Sequence, residues 1–431
     1  MGYVVKRIKI RYAVFMDNLA NDLLERFLRY VQVYSESDSQ KADRGISPST
    51  PCQWDMAKLL RAELQGLGLE NVQTDSHCFT YALLPASSGA EDEPSFCLMA
   101  HIDTVDEVSG KDVKPIVHRD YDGTAITLPA GITLDPAADK HLAEAGREHD
   151  TVITSSGDTL LGADDKAGVA EIMTAISYLV AHPEERHGPI EILFSPDEET
   201  GHGMDHVNLR LLRSKACYTV DGGHIGELET ECFNAFKSEV TFYGKSKHTG
   251  DARPDMVNAV CMAAAFVSSL PRHEMPETTD GYMGFYAPLE MEASLEKARV
   301  MLLLRDFTTE GMEKRKQLIE QIAKTVELSF GGRVEVVHTE QYRNMKEKLA
   351  AQPRVVQNLV AAYRAAGIEP TFPPIRGGTD GSRLTEMGLP TPNIFTGGHS
   401  YHSRYEWASL NQMRSAVEVL LHLSKAWLEN K

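Results

Sequence analysis

The chain has 431 residues, of which 42% are hydrophobic and 25% charged, with a formal net charge of -18. This length exceeds what a single hydrophobic core usually organises, so we expect two domains. The negative charge gives no general attraction to nucleic acid or to an anionic membrane, and no apolar run approaches the roughly 20 residues that span a bilayer.

The N-terminal segment and the cysteines indicate where the protein works. Residues 1–15 carry four basic side chains but lack the uninterrupted apolar stretch of about 7–15 residues of a signal peptide. We interpret them as an N-terminal extension, or as the product of an upstream start, ahead of an amphipathic helix that begins near Met16. The six cysteines are scattered, without a disulfide-like or CxxC spacing. A cytoplasmic location is therefore predicted.

Short apolar runs alternate with helical patterns in the first half, which predicts an α/β fold with a mixed or parallel sheet flanked by helices. Strands are predicted at Phe96–Ala100, Ile190–Phe194 and Cys217–Val220, and each is followed at once by polar side chains. Open α/β sheets place their sites just beyond the carboxyl ends of the strands, so we expect these polar side chains to be functional.

Over residues 232–343 the sequence pattern changes to alternating strands and two long helical patterns, which predicts an inserted, smaller α+β domain. An amphipathic helix and one more strand follow it. The first domain is therefore predicted to be discontinuous, over residues 16–231 and 344–431.

His101 and Asp103 follow the first predicted strand as an HxD pair. Hydrolytic metal sites use histidine and carboxylate ligands, and residues two apart on a strand share a face, so Asp103 could orient His101. An isolated HxD pair is more often an ordinary strand end that meets solvent. Context has to decide between the two readings.

Two acidic pairs follow. Asp164 and Asp165 precede a helical pattern, where acids often only cap the helix and complement its dipole. Glu198 and Glu199 follow the second strand, where one could bind metal while its neighbour acts as a general base, or where both could be a solvated acidic loop.

Asp221 lies in the TVDGG segment, and His399 and His402 lie in the loop FTGGHSYHSRYEW. Alone, each reads as a turn aspartate or a surface histidine. Together with the preceding pairs, five segments of one α/β domain present ligand chemistry, which favours a metal centre.

The ordered motifs AHID, GADDKAG, PDEE, TVDGG and GGxxYH, with the inserted domain between the fourth and the fifth, resemble the M20 metallopeptidases. LLGADDKAGVAEIMTA, SPDEETG, GELE, MVNA, IRGGTDG and GLPTPNIFTGG resemble the tripeptide aminopeptidase branch of that family. The resemblance extends from about Met16 to the C-terminus.

The resemblance implies a cocatalytic metal pair. His101, Asp164 and Asp221 would hold one ion, and Asp164, Glu199 and His402 the other, with Asp164 as the bridge. With nitrogen and oxygen ligands and no thiolate, two Zn²⁺ ions per chain are expected, although Co²⁺ or Mn²⁺ could fit.

The family also implies roles for Glu198 and Asp103. Glu198 would be the general base toward the attacking water, and Asp103 would brace His101. The implied reaction is hydrolysis of the N-terminal peptide bond of short peptides, preferentially tripeptides. Another M20 activity, such as a dipeptidase or an N-acyl amino acid deacylase, is the alternative, and a binding protein without catalysis is disfavoured because Glu198 is present.

The inserted domain would act as a lid and dimerisation domain, so a homodimer is expected. His248 matches a histidine that steadies the oxyanion and, in relatives, enters the partner's cleft. Asn258, Arg305 and Arg376 match residues that hold substrate, although Arg305 could instead pair with Asp306.

Two departures from the family pattern lie near the expected site. The segment after His248 reads HTGDARP, where this branch typically has HPGTAKG. His399 stands where the family has another residue, so a second histidine lies three positions before His402. Peptide preference is therefore less firmly predicted than the mechanism.

Overall fold

The computed structural model describes residues 18–429. They form two compact units. The first consists of the described parts of Met1–Thr230, Lys348–Pro373 and Thr379–Lys431, and the second of Glu231–Glu347 and Pro374–Gly378. The predicted extension, residues 1–15, lies outside the described residues.

The secondary structure is as follows. The strands are β1 Glu70–Thr74, β2 Thr80–Leu84, β3 Phe96–His101, β4 Ile116–His118, β5 Ile126–Thr127, β6 Thr133–Leu134, β7 Val152–Thr154, β8 Ile190–Ser195, β9 Cys217–Gly222, β10 Leu228–Glu229, β11 Asn234–Tyr243, β12 Phe285–Ala293, β13 Lys297–Asp306, β14 Arg333–Tyr342, β15 Asn393–Phe395, β16 Gly398–His399 and β17 Trp407–Ser409. The helices are α1 (residues 18–31), α2 Ser39–Ala42, α3 Gln53–Gly66, α4 Lys140–Arg147, α5 Ala163–Ala181, α6 Ala259–Ser268, α7 Thr309–Phe330, α8 Lys346–Ala350, α9 Pro353–Ala365, α10 Asp380–Glu386 and α11 Leu410–Glu429.

The first unit is built around a seven-stranded sheet in the order β1-β2-β8-β3-β9-β15-β10. Strands β8, β3, β9 and β15 run parallel, and β2 and β10 join them antiparallel on either side. Every residue of β3 and β8 is buried, which explains why both strands read as continuous apolar runs. The three predicted strands are present and extend further, so His101 ends β3 and Asp221 lies within β9.

Helix α5 packs its N-terminal part closely on this sheet. Gly162 precedes it with φ +82°, a conformation that glycine adopts without steric cost. At Gly168 a Cβ atom would lie 1.7 Å from the carbonyl oxygen of Val220 in β9. The glycines of the GADDKAG motif thus let the helix start against the strand that carries Asp221.

The second unit has an antiparallel sheet in the order β12-β13-β11-β14, covered by α6 and α7. Thr308 caps α7 by accepting a hydrogen bond from the Gly311 N–H group, and Gly331 ends it with φ +74°. The predicted fold class, an α/β domain with a smaller inserted α+β domain, is confirmed. This unit also includes Glu231 and residues 344–347 and 374–378, which the sequence analysis placed in the catalytic domain.

None of the helices within residues 18–429 is both long enough and apolar enough to cross a membrane.

Candidate active site

His101 is the first element of a buried polar cluster at the carboxyl end of β3. Its side chain is only 2% exposed, and Nδ1 lies 3.1 Å from the carbonyl oxygen of Asp103. A proton on Nδ1 that is donated to this carbonyl leaves the lone pair on Nε2. Nε2 lies 2.9 Å from Asp164 Oδ1 and 3.6 Å from Asp221 Oδ1, so one nitrogen and two carboxylates converge.

Asp164 presents its two oxygens to two different partners. Oδ1 lies 2.9 Å from His101 Nε2, and Oδ2 lies 3.2 Å from His402 Nε2. His402 Nε2 is also 3.1 Å from Glu199 Oε2. The carboxylate therefore stands between a group formed with His101 and Asp221 and a group formed with His402 and Glu199.

Asp103 contacts His101 and also the backbone of Glu198 and Glu199. Its Oδ1 accepts a 3.1 Å hydrogen bond from the Glu198 N–H group, and its Oδ2 accepts a 3.2 Å bond from the Glu199 N–H group. The side chain is fully buried, and Oδ1 also lies 3.4 Å from His101 Nδ1. One carboxylate thus orients the histidine and the backbone of both glutamates.

The electrostatics of the cluster favour a positive ion. Burial, followed by the charge of Asp164, raises the pKa of Glu199 to about 8, and burial raises the pKa of Asp221 to about 6. Hydrogen bonds with Asp164 and Glu199 raise the pKa of His402 to about 11. Burial opposes ionisation of Asp164, but the hydrogen bonds and charges of His101 and His402 hold its pKa below the usual value.

These residues fit a pair of divalent ions. The ligand atoms of His101, Asp164 and Glu199 lie within 4.8 Å of one another, and Glu199 Oε1 is buried without a hydrogen-bond partner. Histidine nitrogens and carboxylate oxygens are the donors that Zn²⁺ uses in hydrolytic sites. The unpartnered oxygen of Glu199 and the two oxygens of Asp164, which lie near different histidines, would suit a pair of ions that shares one carboxylate.

Asp165 and Asp380 are further buried carboxylates near the cluster. Asp165 accepts hydrogen bonds from the N–H groups of His101 (3.2 Å) and Gly168 (3.1 Å), so it fixes backbone beside the site. Asp380 accepts a 2.6 Å bond from the Ser195 hydroxyl at the end of β8, and burial raises its pKa to about 7. Sequence reasoning missed Asp380, although it lies in the IRGGTDG motif that supplied Arg376.

His399 does not join the cluster. It is 7% exposed and stacks on the Trp407 ring, with 4.2 Å between centroids. Of the two histidines that the sequence offered in this loop, the structure brings only His402 to Asp164 and Glu199.

Asn258 and Arg305 are engaged within the second unit. Asn258 caps α6, its Oδ1 accepting from the Val260 and Cys261 N–H groups. Arg305 is 9% exposed, and its Nη1 donates to the Leu304 carbonyl oxygen at 3.0 Å.

The alternative reading of Arg305 as a salt-bridge partner of Asp306 is wrong. Adjacent residues on a strand point to opposite faces, and Asp306 pairs with Arg315 Nε at 2.9 Å.

Arg376 and His248 differ in how free their side chains are. The Arg376 guanidinium donates to the carbonyl oxygens of Gly281 and Met283 at 2.8 Å and to Thr279 Oγ1 at 2.9 Å, so most of its donors are committed within its own unit. The His248 side chain is 80% exposed, and its Nδ1 accepts a 3.2 Å hydrogen bond from the Gly250 N–H group.

Comparison with known proteins gives consistent matches, and those with individual relatives cover nearly the whole chain. The family model described as "Peptidase family M20/M25/M40" matches residues 158–426. Peptidase T of Clostridium perfringens is 44% identical over 94% of this chain and 98% of its own length. Peptidase T of Listeria monocytogenes is 41% identical over 96% of this chain and 100% of its own. The crystal structure of aminopeptidase PepT from Bacillus cereus superposes with a TM-score of 0.74 at 23% identity, covering 95% of this chain and 99% of that one.

Proposed function

This chain belongs to peptidase family M20, and we propose that it is a metal-dependent aminopeptidase that removes the N-terminal residue of short peptides, preferentially tripeptides. The resemblance predicted from the motifs is confirmed, for the family and for its peptidase T group. The observation that carries the proposal is the position of Asp164, whose two oxygens face His101 and His402.

The residues of the cluster would hold two metal ions. His101, Asp164 and Asp221 would bind one, and Asp164, Glu199 and His402 the other. The donor set suits zinc, with cobalt or manganese as substitutes. When bound, such ions supply Lewis acidity, which polarises a peptide carbonyl and makes water a stronger nucleophile at neutral pH.

Glu198 is the general base of the proposed reaction. It accepts a proton from the attacking water and delivers it to the amine that leaves. Burial raises the pKa of its carboxyl well above the usual value, which brings a carboxylate closer to the basicity that such a transfer needs. Asp103 contributes by accepting hydrogen bonds from the Glu198 and Glu199 N–H groups, which fixes the backbone of the base and of the ligand.

The inserted unit serves as the lid and dimerisation domain of a homodimer in this proposal. Leu289 and Met291 on β12 and Val337 on β14, the two edge strands of its sheet, are each more than half exposed, which supports an apolar contact between copies. His248, Asn258, Arg305 and Arg376 would contribute to substrate binding. The cysteines are all free, which supports a cytoplasmic location.

A peptide series tests the function. Zinc-loaded protein is given di-, tri-, tetra- and pentapeptides of one composition, each with a free and with an acetylated N-terminus, and products are identified by mass. We expect cleavage of the first bond of the free tripeptide, slower cleavage of the other lengths, and loss of activity after chelation that zinc restores.

Two other results would change the assignment. Hydrolysis of the acetylated substrates with the free tripeptide ignored would indicate a deacylase. Efficient cleavage of dipeptides alone would indicate a dipeptidase.

A further inference from the structure

A group of histidines outside the proposed catalytic centre lies in the first unit. His141 and Glu144 are on α4, His224 follows β9, and His399 ends β16. Ring centroids are 4.0 Å apart for His141 and His224, 5.2 Å for His141 and His399, and 5.6 Å for His224 and His399. Three imidazole rings from separate segments therefore lie against one another, beside one carboxylate.

One ring nitrogen of each histidine lacks the hydrogen bond that a buried nitrogen normally makes. His141 Nδ1, His224 Nδ1 and His399 Nε2 are each buried without a hydrogen-bond partner. Glu144 Oε2 is 4.0 Å from His141 Nδ1 and 3.6 Å from His224 Nε2, too far for a hydrogen bond to either. Three ring nitrogens of this group are therefore left without a partner.

We propose that His141, Glu144 and His224 form a separate binding site for a divalent transition-metal ion such as Zn²⁺. One ligand atom from each residue lies within 4.8 Å of the others. Ligand atoms around tetrahedral zinc are about 3.4 Å apart, so small side-chain rotations bring the three into place. Two imidazoles and one carboxylate are a donor set that zinc favours, and solvent supplies the fourth ligand.

The site is open enough to load. The side chains of His141, Glu144 and His224 are 26%, 40% and 21% exposed, so an ion reaches them from solvent. His399 closes the inner side, stacked between His141 and Trp407. Burial lowers the pKa of His224 and, more strongly, lowers that of His399 to about 3, which keeps both rings neutral at physiological pH.

Gln412 forms side-chain hydrogen bonds with His224 and His399, and the other polar neighbours are engaged elsewhere. Asp139 caps α4 through the His141 and Leu142 N–H groups, and its other oxygen accepts from Trp407 Nε1. The Glu227 carboxylate accepts from the His224 N–H group. Lys140 is the nearby cation and weakens binding somewhat by repulsion.

An ion at this place ties two segments of the first unit, α4 and the loop that follows β9. His141 and Glu144 fix α4, and His224 follows the candidate ligand Asp221 by three residues. His399, which packs against both histidines, precedes the candidate ligand His402 by three residues. The proposed role is structural, because the ion steadies α4 and the loop that follows β9, the strand of Asp221, and contacts no substrate. This goes beyond the proposed peptidase activity and does not depend on it.

The test counts bound ions. The full chain is equilibrated by dialysis against buffered micromolar free Zn²⁺, and zinc per chain is measured for wild type, His141→Gln, Glu144→Gln and the control His149→Gln. His149 is an exposed histidine beside the single carboxylate of Asp120 and belongs to no such group. We expect His141→Gln and Glu144→Gln each to bind one ion fewer than wild type, and His149→Gln to bind as many as wild type.

Crystals soaked in Zn²⁺ locate the ion directly, through an anomalous peak between His141, Glu144 and His224. A thermal melt gives a third readout: zinc should raise the Tm of wild type more than that of Glu144→Gln, which lies on a partly exposed helix face and should fold normally. Equal zinc content in wild type and both variants, or no anomalous peak at this place, would overturn the proposal. A missing catalytic pair would instead lower the count equally in all four proteins.

Discussion

Glu406 Oε1 accepts a 3.2 Å hydrogen bond from the backbone N–H group of Asp164. Its other oxygen, Oε2, accepts 2.7 Å bonds from the N–H groups of Leu161 and Gly162. Glu406 is 1% exposed, so a buried carboxylate fixes the backbone of the turn that begins α5. Because Asp164 serves two partners with its two oxygens, the position of that turn decides the geometry on both sides of the candidate metal pair.

Glu406→Ala should therefore weaken metal binding without removing a ligand. Groups that orient metal ligands are worth about 10–100-fold in metal affinity, and we expect a loss of this size by calorimetric titration. Three buried N–H groups also lose their acceptor, at a cost of about 3 kcal/mol in the free energy of unfolding.

Asp150→Ala is the matched control. Asp150 is also 1% exposed and accepts hydrogen bonds from the Thr151 and Asn411 N–H groups, away from Asp164. It should lose stability but keep the metal affinity of wild type. An equal loss of affinity in both variants would show that Glu406 acts only through general stability.

Glu198 and Glu199 should separate into a base and a ligand. Glu198→Gln should lower kcat by about 10²–10⁴-fold while both ions stay bound, since the loss affects proton transfer and not coordination. Glu199→Gln should lose one ion, because its Oε2 faces His402. Zinc content and single-turnover kinetics check both variants, and the reverse pattern would exchange the two roles.

The two histidines of the exit loop should differ sharply. His402→Ala should cost one ion of the proposed pair and nearly all activity. His399→Ala should keep that pair and lose stability instead, because its ring packs on Trp407. Activity and zinc content of the two variants, measured beside thermal melts, decide this. A His399→Ala protein that is stable but inactive would contradict the assignment.

Much of the architecture could be predicted because burial on both faces leaves a simple pattern. Strands β3, β8 and β9 are apolar runs that end at or just before polar side chains able to bind metal or transfer protons. Sequence alone therefore placed His101 and Asp221 at one edge of a sheet. The family motifs supplied the rest of the candidate ligands.

What sequence could not give was the partners contributed by distant segments. Glu406 lies 242 residues from Asp164, and Asp380 lies 185 residues from Ser195, so no local spacing links them. Arg376 is a further case. Nothing in its motif predicted that its guanidinium lies over the Phe233 and Phe285 rings and donates to carbonyl groups of its own unit. A single sequence does not reveal such contacts.

Glu171 should make stability depend on pH. Its side chain is fully buried in α5, and neither carboxylate oxygen has a hydrogen-bond partner. Burial, with a smaller contribution from Asp165, raises its pKa well above the usual value. The folded protein then keeps a proton that the unfolded chain releases above about pH 4.5. The contribution of Glu171 to the free energy of unfolding is therefore fully present below that pH and is lost as pH rises toward the folded pKa.

Glu171→Gln replaces the ionisable carboxyl by a neutral amide of nearly the same shape. We expect the Tm of the variant to exceed that of wild type by an amount that grows from about pH 5 to about pH 9. A difference that stays constant over this range would show that Glu171 has an ordinary pKa in the folded protein.

The last prediction is that His248 acts in the active site of the other subunit. The side chain is 80% exposed in its own chain, as expected of a residue that meets a ligand held elsewhere. Glu198→Gln and His248→Ala should each be nearly inactive as pure homodimers. In a mixed dimer, the His248→Ala chain keeps Glu198 and receives His248 from its partner, so that site works, while the companion site lacks both groups.

Random re-association of equal amounts of the two variants gives about half mixed dimers. Each mixed dimer has one working site of two, so the mixture should show roughly a quarter of wild-type activity. A histidine that acts within its own chain predicts no recovery, because every site then lacks one essential group. Subunit exchange must be verified first, by native mass spectrometry of differently tagged chains. Mixed dimers without recovered activity would reject action in trans, and a protein that stays monomeric would reject the proposed dimer itself.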